Sequence, residues 1–215
     1  MSYESVLKNI PDSVQLIAVS KYRTVPEILK LYNSGQRLFA ENRVQALLER
    51  MEQLPSDIEW HLIGHLQTNK AKYIVPNVAL VHSADSVKIL ETLNKEAAKI
   101  QKRIRVLLQI KIAQEEEKFG FNLNDLYSLL QDETHLLWEH VQICGVMGMG
   151  TLTQDTQQTE KEFETLFLYF QRLKKDFFGS DPHFIEISMG MSGDYELAIK
   201  HGATMVRIGS ALFEE

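Results

Sequence analysis

The chain is predicted to fold as a single (β/α)8 TIM-type barrel, and three observations carry that expectation. Apolar β-type runs recur about every 27 residues, which places eight of them in the chain. Segments of helical period fill the intervals between them, with no other architecture in the way. The first strand-to-helix turn, Ser20-Lys21-Tyr22-Arg23, contains no glycine, whereas an open doubly wound sheet usually carries a glycine-rich turn there. No Pro/Gly/Ser-rich stretch divides the 215 residues, and their number suffices for one large core, so residues 1–215 are read as one domain.

After a short opening helix around Ser2 to Ile10, the eight strands are expected at Val14 to Val19, Arg37 to Ala40, Glu59 to Gly64, Val78 to His82, Ile104 to Ile112, Val141 to Met147, His183 to Ser188 and Thr204 to Ile208. The first ends abruptly in Lys21 and is followed by Thr24 and Glu27, spaced as a capping box, with Ile28, Leu31 and Tyr32 as the buried stripe of the next helix. Val44, Leu47, Leu48 and Met51 make the second stripe. Phe163, Leu166, Phe167, Phe170, Leu173 and Phe177 make a long one after the sixth strand; helical spacing marks these aromatics as core. Gly35 and Gly202 each close a helical pattern just before a strand, as left-handed C-terminal stops do.

Composition excludes several functions. With 23 basic and 29 acidic residues the net charge is −6, and no Lys/Arg-rich run could track a phosphodiester backbone, so nucleic acid is not an expected partner. The single cysteine, Cys144, rules out an internal disulfide framework and sits among apolar residues as a small buried hydrophobe. The apolar runs are too short to span a membrane, and Met1 to Lys8 has neither a basic nor an apolar leader region. A cytoplasmic monomer is expected, with no membrane partner.

Chemistry is expected at the strands' carboxyl ends. Lys21 lies there, although a lysine in that place can also be only the first solvated residue after a buried strand. The loops after strands seven and eight supply Ser188-Met189-Gly190-Met191-Ser192-Gly193-Asp194 and Arg207-Ile208-Gly209-Ser210, and in barrels these loops often hold a phosphate. Ser192 also fits the N-cap of a helix from Tyr195 to Lys200, and Gly193 could be only a turn. In a closed barrel strand one neighbours strand eight, so a lysine faces a phosphate cradle, an arrangement that suits pyridoxal phosphate. For its amine to react, Lys21 should be partly buried and near the cations Arg23 or Arg207. Asn42, after strand two, either faces the ligand or caps the helix that Arg43 begins. His61 and His65 are four apart but lack a glutamate between them and a third ligand, so no metal site is expected. Glu115 to Lys118 is expected to be a solvated loop.

The stretches LIAVSK, AENRVQ, WHLIGHLQTNKAK, HSADS and ISMGMSGDYELAIKHGATMVRIGSALF resemble the pyridoxal phosphate homeostasis protein family over nearly the whole chain. The resemblance implies a barrel like the N-terminal domain of alanine racemase, with the cofactor held as a Schiff base on Lys21. It implies phosphate contacts from Ser192, Gly193, Gly209 and Ser210, and places Arg207 near the pyridine nitrogen. The segment before strand one is shorter than the family's usual helix, and Met147-Gly148-Met149-Gly150-Thr151 departs from its common Leu-Met-Thr form.

The chain stops five residues after Ser210, so no second domain is expected over the barrel's mouth to exclude water and supply another acid or base. The family resemblance agrees, implying a carrier or regulator without established turnover. The expected function is therefore a protein that holds, buffers or delivers pyridoxal phosphate, with apo-enzymes as acceptors and no assigned catalytic residue. The alternative is a weak racemase dependent on the same cofactor, or a Schiff-base aldolase that uses Lys21 on its substrate directly.

Overall fold

The computed structural model describes residues 3–114 and 119–213. Its eight strands are all parallel and close in chain order: β1 (Gln15–Val19), β2 (Leu38–Glu41), β3 (Glu59–Leu62), β4 (Leu80–Ala84), β5 (Ile104–Gln109), β6 (Val141–Met147), β7 (Glu186–Ser188) and β8 (Met205–Ile208). Closure rests on β1, which pairs with β2 through Ala18 and Phe39 and with β8 from Gln15↔Met205 to Ala18↔Ile208.

The helices are α1 (Tyr3–Lys8), α2 (Val25–Asn33), α3 (Val44–Met51), α4 (Ala71–Ile74), α5 (Val87–Lys99), α6 (Leu123–Gln131), α7 (Thr156–Asp176), α8 (Tyr195–Lys200) and α9 (Ser210–Phe213). Among the described residues, none is long and apolar enough to cross a membrane. The capping residues act as expected at α2, where the Glu27 carboxylate accepts both the backbone N–H and the hydroxyl of Thr24, each at 2.6 Å. Ile28 and Leu31 are buried against the strands while Tyr32 stays half-buried, its hydroxyl bonded to Asp57. Gly35 and Gly202 stop α2 and α8 with φ of +103° and +88°. The α7 stripe packs Phe163, Leu166, Phe170 and Leu173 into the core and leaves Phe167 and Phe177 at its margin.

Two hydrophobic layers result. Strand residues facing outward meet the helices in the large core, while Ile17, Ala40, Leu80, Leu107, Cys144, Met147 and Met205 fill the barrel's interior. Several strands differ in extent from their apolar runs. β4 lies two residues later than expected, and β7 is three residues long, with Phe184 outside the strand and stacked on Phe178 at a ring-centroid distance of 4.2 Å. β5 ends at Gln109, after which Ile110 makes an isolated bridge to Phe121. The loop expected at Glu115 to Lys118 lies outside the described residues.

In β6 the register against β5 slips, since Val106 pairs with Ile143 and Leu107 with Gly145. The extra residue is Cys144, and the bulge lets Cys144 and Met147, three apart, both face inward despite the strand's period of two. Only glycine fits there. Gly145 has φ of +149°, and a Cβ on it would lie 1.9 Å from the Glu186 carbonyl oxygen. Gly145→Ala should therefore lower the unfolding free energy by about 2–5 kcal/mol, from left-handed strain and overpacking together. Urea titration measures this, and an unchanged midpoint would contradict the bulge.

Candidate functional site

A cavity of about 740 Å³ opens at the carboxyl ends of the strands. Its described lining contains all seven residues that the sequence suggests for ligand binding: Lys21, Asn42, Ser192, Gly193, Arg207, Gly209 and Ser210. They arrive from the ends of four strands, β1, β2, β7 and β8, and barrel closure is what gathers them. Lys21 and the Gly209–Ser210 pair are neighbours because β1 and β8 are paired in register.

The charge of the lining is selective. A chain of net charge −6 contributes Lys21, Arg23 and Arg207 to this cavity and, among the described residues, no aspartate or glutamate. An anion is the ligand such a surface favours. Two serine hydroxyls and three glycines lie in the same lining, and a Cβ on Gly193 would meet nothing within 4 Å, so that side of the cavity has room. The loops after β7 and β8 are tied together where the Gly209 N–H donates to Ser192 Oγ at 3.1 Å.

Lys21 occupies a four-residue turn in which the Arg23 N–H donates to the Ser20 carbonyl, at 3.0 Å. The next residue, Tyr22, has φ of +64°, a conformation that costs a bulky side chain about 1–2 kcal/mol. The turn thus holds strain at the residue beside the amine. Lys21 is exposed, which corrects the expected partial burial: the tight turn lifts it off the strand end. Arg23 is also engaged elsewhere, 3.4 Å from Glu27 and with its guanidinium carbon 4.9 Å from the Phe213 ring centroid. Beneath the turn lies a buried polar cluster, in which Glu41 accepts from the Ser20 hydroxyl at 2.6 Å and pairs with Arg50 at 2.7 Å. Burial pushes the Glu41 carboxyl up, while Ser20, Arg50 and Lys21 pull it back.

Two capping alternatives do not occur. α3 starts at Val44 with Arg43 in the N-cap place, so Asn42 is not its cap and instead lines the cavity. Gly64 holds this end of β3 against it: a Cβ on Gly64 would lie 2.0 Å from the Asn42 carbonyl oxygen. α8 has Asp194 at its N-cap, and the Asp194 carboxylate accepts the Met191 N–H. Ser192 is thereby left to the loop and the cavity.

The structure adds buried polar partners of Arg207 that the apolar strand runs concealed. Arg207 is 4% exposed and donates to Ser188 Oγ at 2.6 Å and to the Gly148 carbonyl at 3.1 Å. Ser188 meets His82 Nδ1 at 2.9 Å, and His82 Nε2 meets His61 Nδ1 at 2.9 Å. This line runs from β8 through β7 to β4 and β3, inside the barrel. His65 lines the cavity's mouth, with Nδ1 2.6 Å from Asp85 and its ring stacked on Phe119 at 3.8 Å. The signal in the sequence was a histidine in the middle of each of two buried strands, where a polar group needs an internal partner.

The profile described as "Alanine racemase, N-terminal domain" matches residues 3–215. A pyridoxal phosphate homeostasis protein of Synechocystis is 38% identical over 98% of this chain and 95% of its own length. The chain belongs to that family. A Pasteurella multocida member is 35% identical over 96% of this chain and 88% of its own. Among solved structures, PipY of Synechococcus elongatus superposes with TM-scores of 0.91 without pyridoxal phosphate (35% identity) and 0.88 with it bound (34% identity), each over 98% of this chain and 97% of that one. An alanine racemase of Clostridium difficile shares the fold at TM-score 0.78 and 12% identity, with 99% of this chain matching 54% of that one.

The buried histidines make stability depend on pH. Burial lowers the His61 pKa to about 3 and holds His82 well below its usual value, so both are neutral in the fold, while the unfolded chain takes up protons below about 6.5. Folded values below unfolded ones give stability that is present above pH 6.5 and lost as pH falls toward 3. Between pH 7 and pH 5, His61 alone should account for about 2 kcal/mol of lost unfolding free energy, with His82 adding to it. Urea unfolding at the two pH values should show a fall that is smaller by about that amount in His61→Leu; an equal fall in both proteins would contradict a neutral buried His61.

Proposed function

We propose that this chain is a cytoplasmic carrier that binds pyridoxal phosphate on Lys21 and holds, buffers or delivers it to apo-enzyme acceptors in vitamin B6 and amino-acid homeostasis. The observation that carries the reading is a lysine at the end of β1 in a cavity of three cations and no described carboxylate, beside two serine- and glycine-bearing loops. The relatives named for pyridoxal phosphate homeostasis and the cofactor-bound PipY structure support it.

The residues fit the group. Ser192, Gly193, Gly209 and Ser210 would hold the phosphate, with hydroxyls as donors and glycines that let the backbone approach. Lys21 would hold the aldehyde carbon as a Schiff base, and its exposure would keep that bond open to incoming amines. Arg207 would donate to the pyridine nitrogen, and Asn42 would border the ring. When bound, the cofactor supplies an aldehyde that condenses with amines and a pyridine ring that withdraws electrons. Arg207 has a pKa of about 10, lowered by burial and partly restored by Asp194, so it is charged at neutral pH and donates without giving up its proton. A donor of that kind leaves the pyridine nitrogen unprotonated and weakens its electron withdrawal, which suits a carrier better than a catalyst.

A racemase reading would draw on His65, whose Nδ1 is held by Asp85 so that its other ring nitrogen is left for the cavity. Incubating the loaded protein with L-alanine and following chirality decides between the two readings, and turnover that Lys21→Ala abolishes would overturn the carrier. Titrating the apoprotein with pyridoxal phosphate should give a visible absorbance band that saturates at one equivalent and is absent in Lys21→Ala. A band that survives the substitution would contradict the assignment of Lys21.

A further inference from the structure

A buried arginine usually lies against a carboxylate. Arg207 has no such contact: the Asp194 charge acts on it only from beyond ion-pair distance, and among the described residues its bonded partners are a serine hydroxyl and a backbone carbonyl. Both partners are neutral. The guanidinium is a donor only, so the Arg207–Ser188 contact places a hydrogen on the lone pairs of Ser188 Oγ. Ser188 is fully buried and has one hydrogen of its own to give, and the acceptor at hand is His82 Nδ1. That fixes the His82 proton on Nε2, from which it donates to His61 Nδ1, and the His61 proton then lies on its own Nε2. In the opposite direction His82 would donate to Ser188, and the buried serine hydrogen would have no acceptor, at a cost of about 1–3 kcal/mol. Four residues from four strands therefore share one hydrogen-bond direction.

We infer that His61, His82 and Ser188 form a strut across the barrel that holds Arg207 as a hydrogen-bond donor without neutralising its charge, so that the cavity selects ligands whose aromatic ring nitrogen is an unprotonated acceptor. His82 and Ser188 are positioning residues, because they act through Arg207, which alone of the four lines the cavity. The depressed basicity of both histidines agrees with a strut that cannot take up the arginine's proton. A carboxylate in the place of Ser188 would orient Arg207 equally well but would cancel the charge that attracts the acceptor.

The ligand part of this inference rests on the pyridoxal phosphate reading, and the test separates the two. The first measurement uses the apoprotein labelled with 15N-histidine. Both buried rings should be neutral Nε2–H tautomers at pH 7, and Nδ1–H tautomers would overturn the strut whether or not any cofactor binds. The second compares the affinities of pyridoxal phosphate and its analogue with carbon in place of the ring nitrogen, in wild type, His82→Leu and Ser188→Ala. Wild type should prefer pyridoxal phosphate by about tenfold or more, the scale of a hydrogen bond to a charged group. In both variants the preference should fall to about threefold or less, with affinity for the carbon analogue nearly unchanged, and Ser188→Thr should restore most of it. Parallel weakening of both ligands would show a merely structural role and overturn the inference; Ser188→Ala keeps the test available if His82→Leu fails to fold. Failure of wild type to bind either ligand would overturn the cofactor reading, and with it the selection of ligands, while the tautomers still judge the strut.

Discussion

The pairing of β1 with β8 is the constraint on which the site depends. Four register pairs from Gln15↔Met205 to Ala18↔Ile208 join residues nearly two hundred positions apart and convert a linear series of βα units into a closed ring. Without that closure Lys21 would stand at the free edge of an open sheet. With it, Lys21 is adjacent to the Gly209–Ser210 loop and to Arg207. Hydrophobic filling of the interior by Ile17, Leu80, Leu107 and Met205 supports the ring from within, and helices packed on the outward faces support it from without.

Closure also explains the electrostatics. Anion-favouring loops at the ends of β7 and β8, an amine at the end of β1 and an arginine from β8 converge on one cavity, while the carboxylates nearby are directed elsewhere. Glu41 is engaged beneath the turn by Ser20 and Arg50, Asp194 by the Met191 N–H, and Asp85 by His65. The chain's acidic excess therefore does not reach the described lining. The tight turn that exposes Lys21 carries strain at Tyr22, a backbone feature that persists only where the surrounding structure fixes it.

Much of this arrangement was legible in the sequence. Strand count and spacing indicated a closed barrel because buried parallel strands leave apolar runs that any reader can count. The loops carrying Ser192, Gly193, Gly209 and Ser210 could be read as an anion cradle from their glycines and hydroxyls, but a cap at Ser192 and a turn at Gly193 stayed open until α8 was seen to begin at Tyr195 with Asp194 as its cap. Asn42 stayed open between cap and ligand, since the start of α3 at Val44 rather than Arg43 is a one-residue matter of backbone geometry. The exposure of Lys21 depends on a positive φ at Tyr22, which a tyrosine codon does not announce. The polar line His61–His82–Ser188–Arg207 was hidden most completely, because its members are separated by up to 146 positions and meet only across the closed interior. Similarly, the bulge at Cys144 and Gly145 changes which residues face inward, and no periodicity records it.

The proposed function stands or falls on whether the end of β1 holds the cofactor covalently through Lys21. Reducing the pyridoxal phosphate-loaded protein with borohydride, digesting it and mapping the label by mass spectrometry tests this directly. One phosphopyridoxyl group is expected, on the peptide carrying Lys21; a label on another lysine, or none at saturating cofactor, would contradict covalent attachment through Lys21.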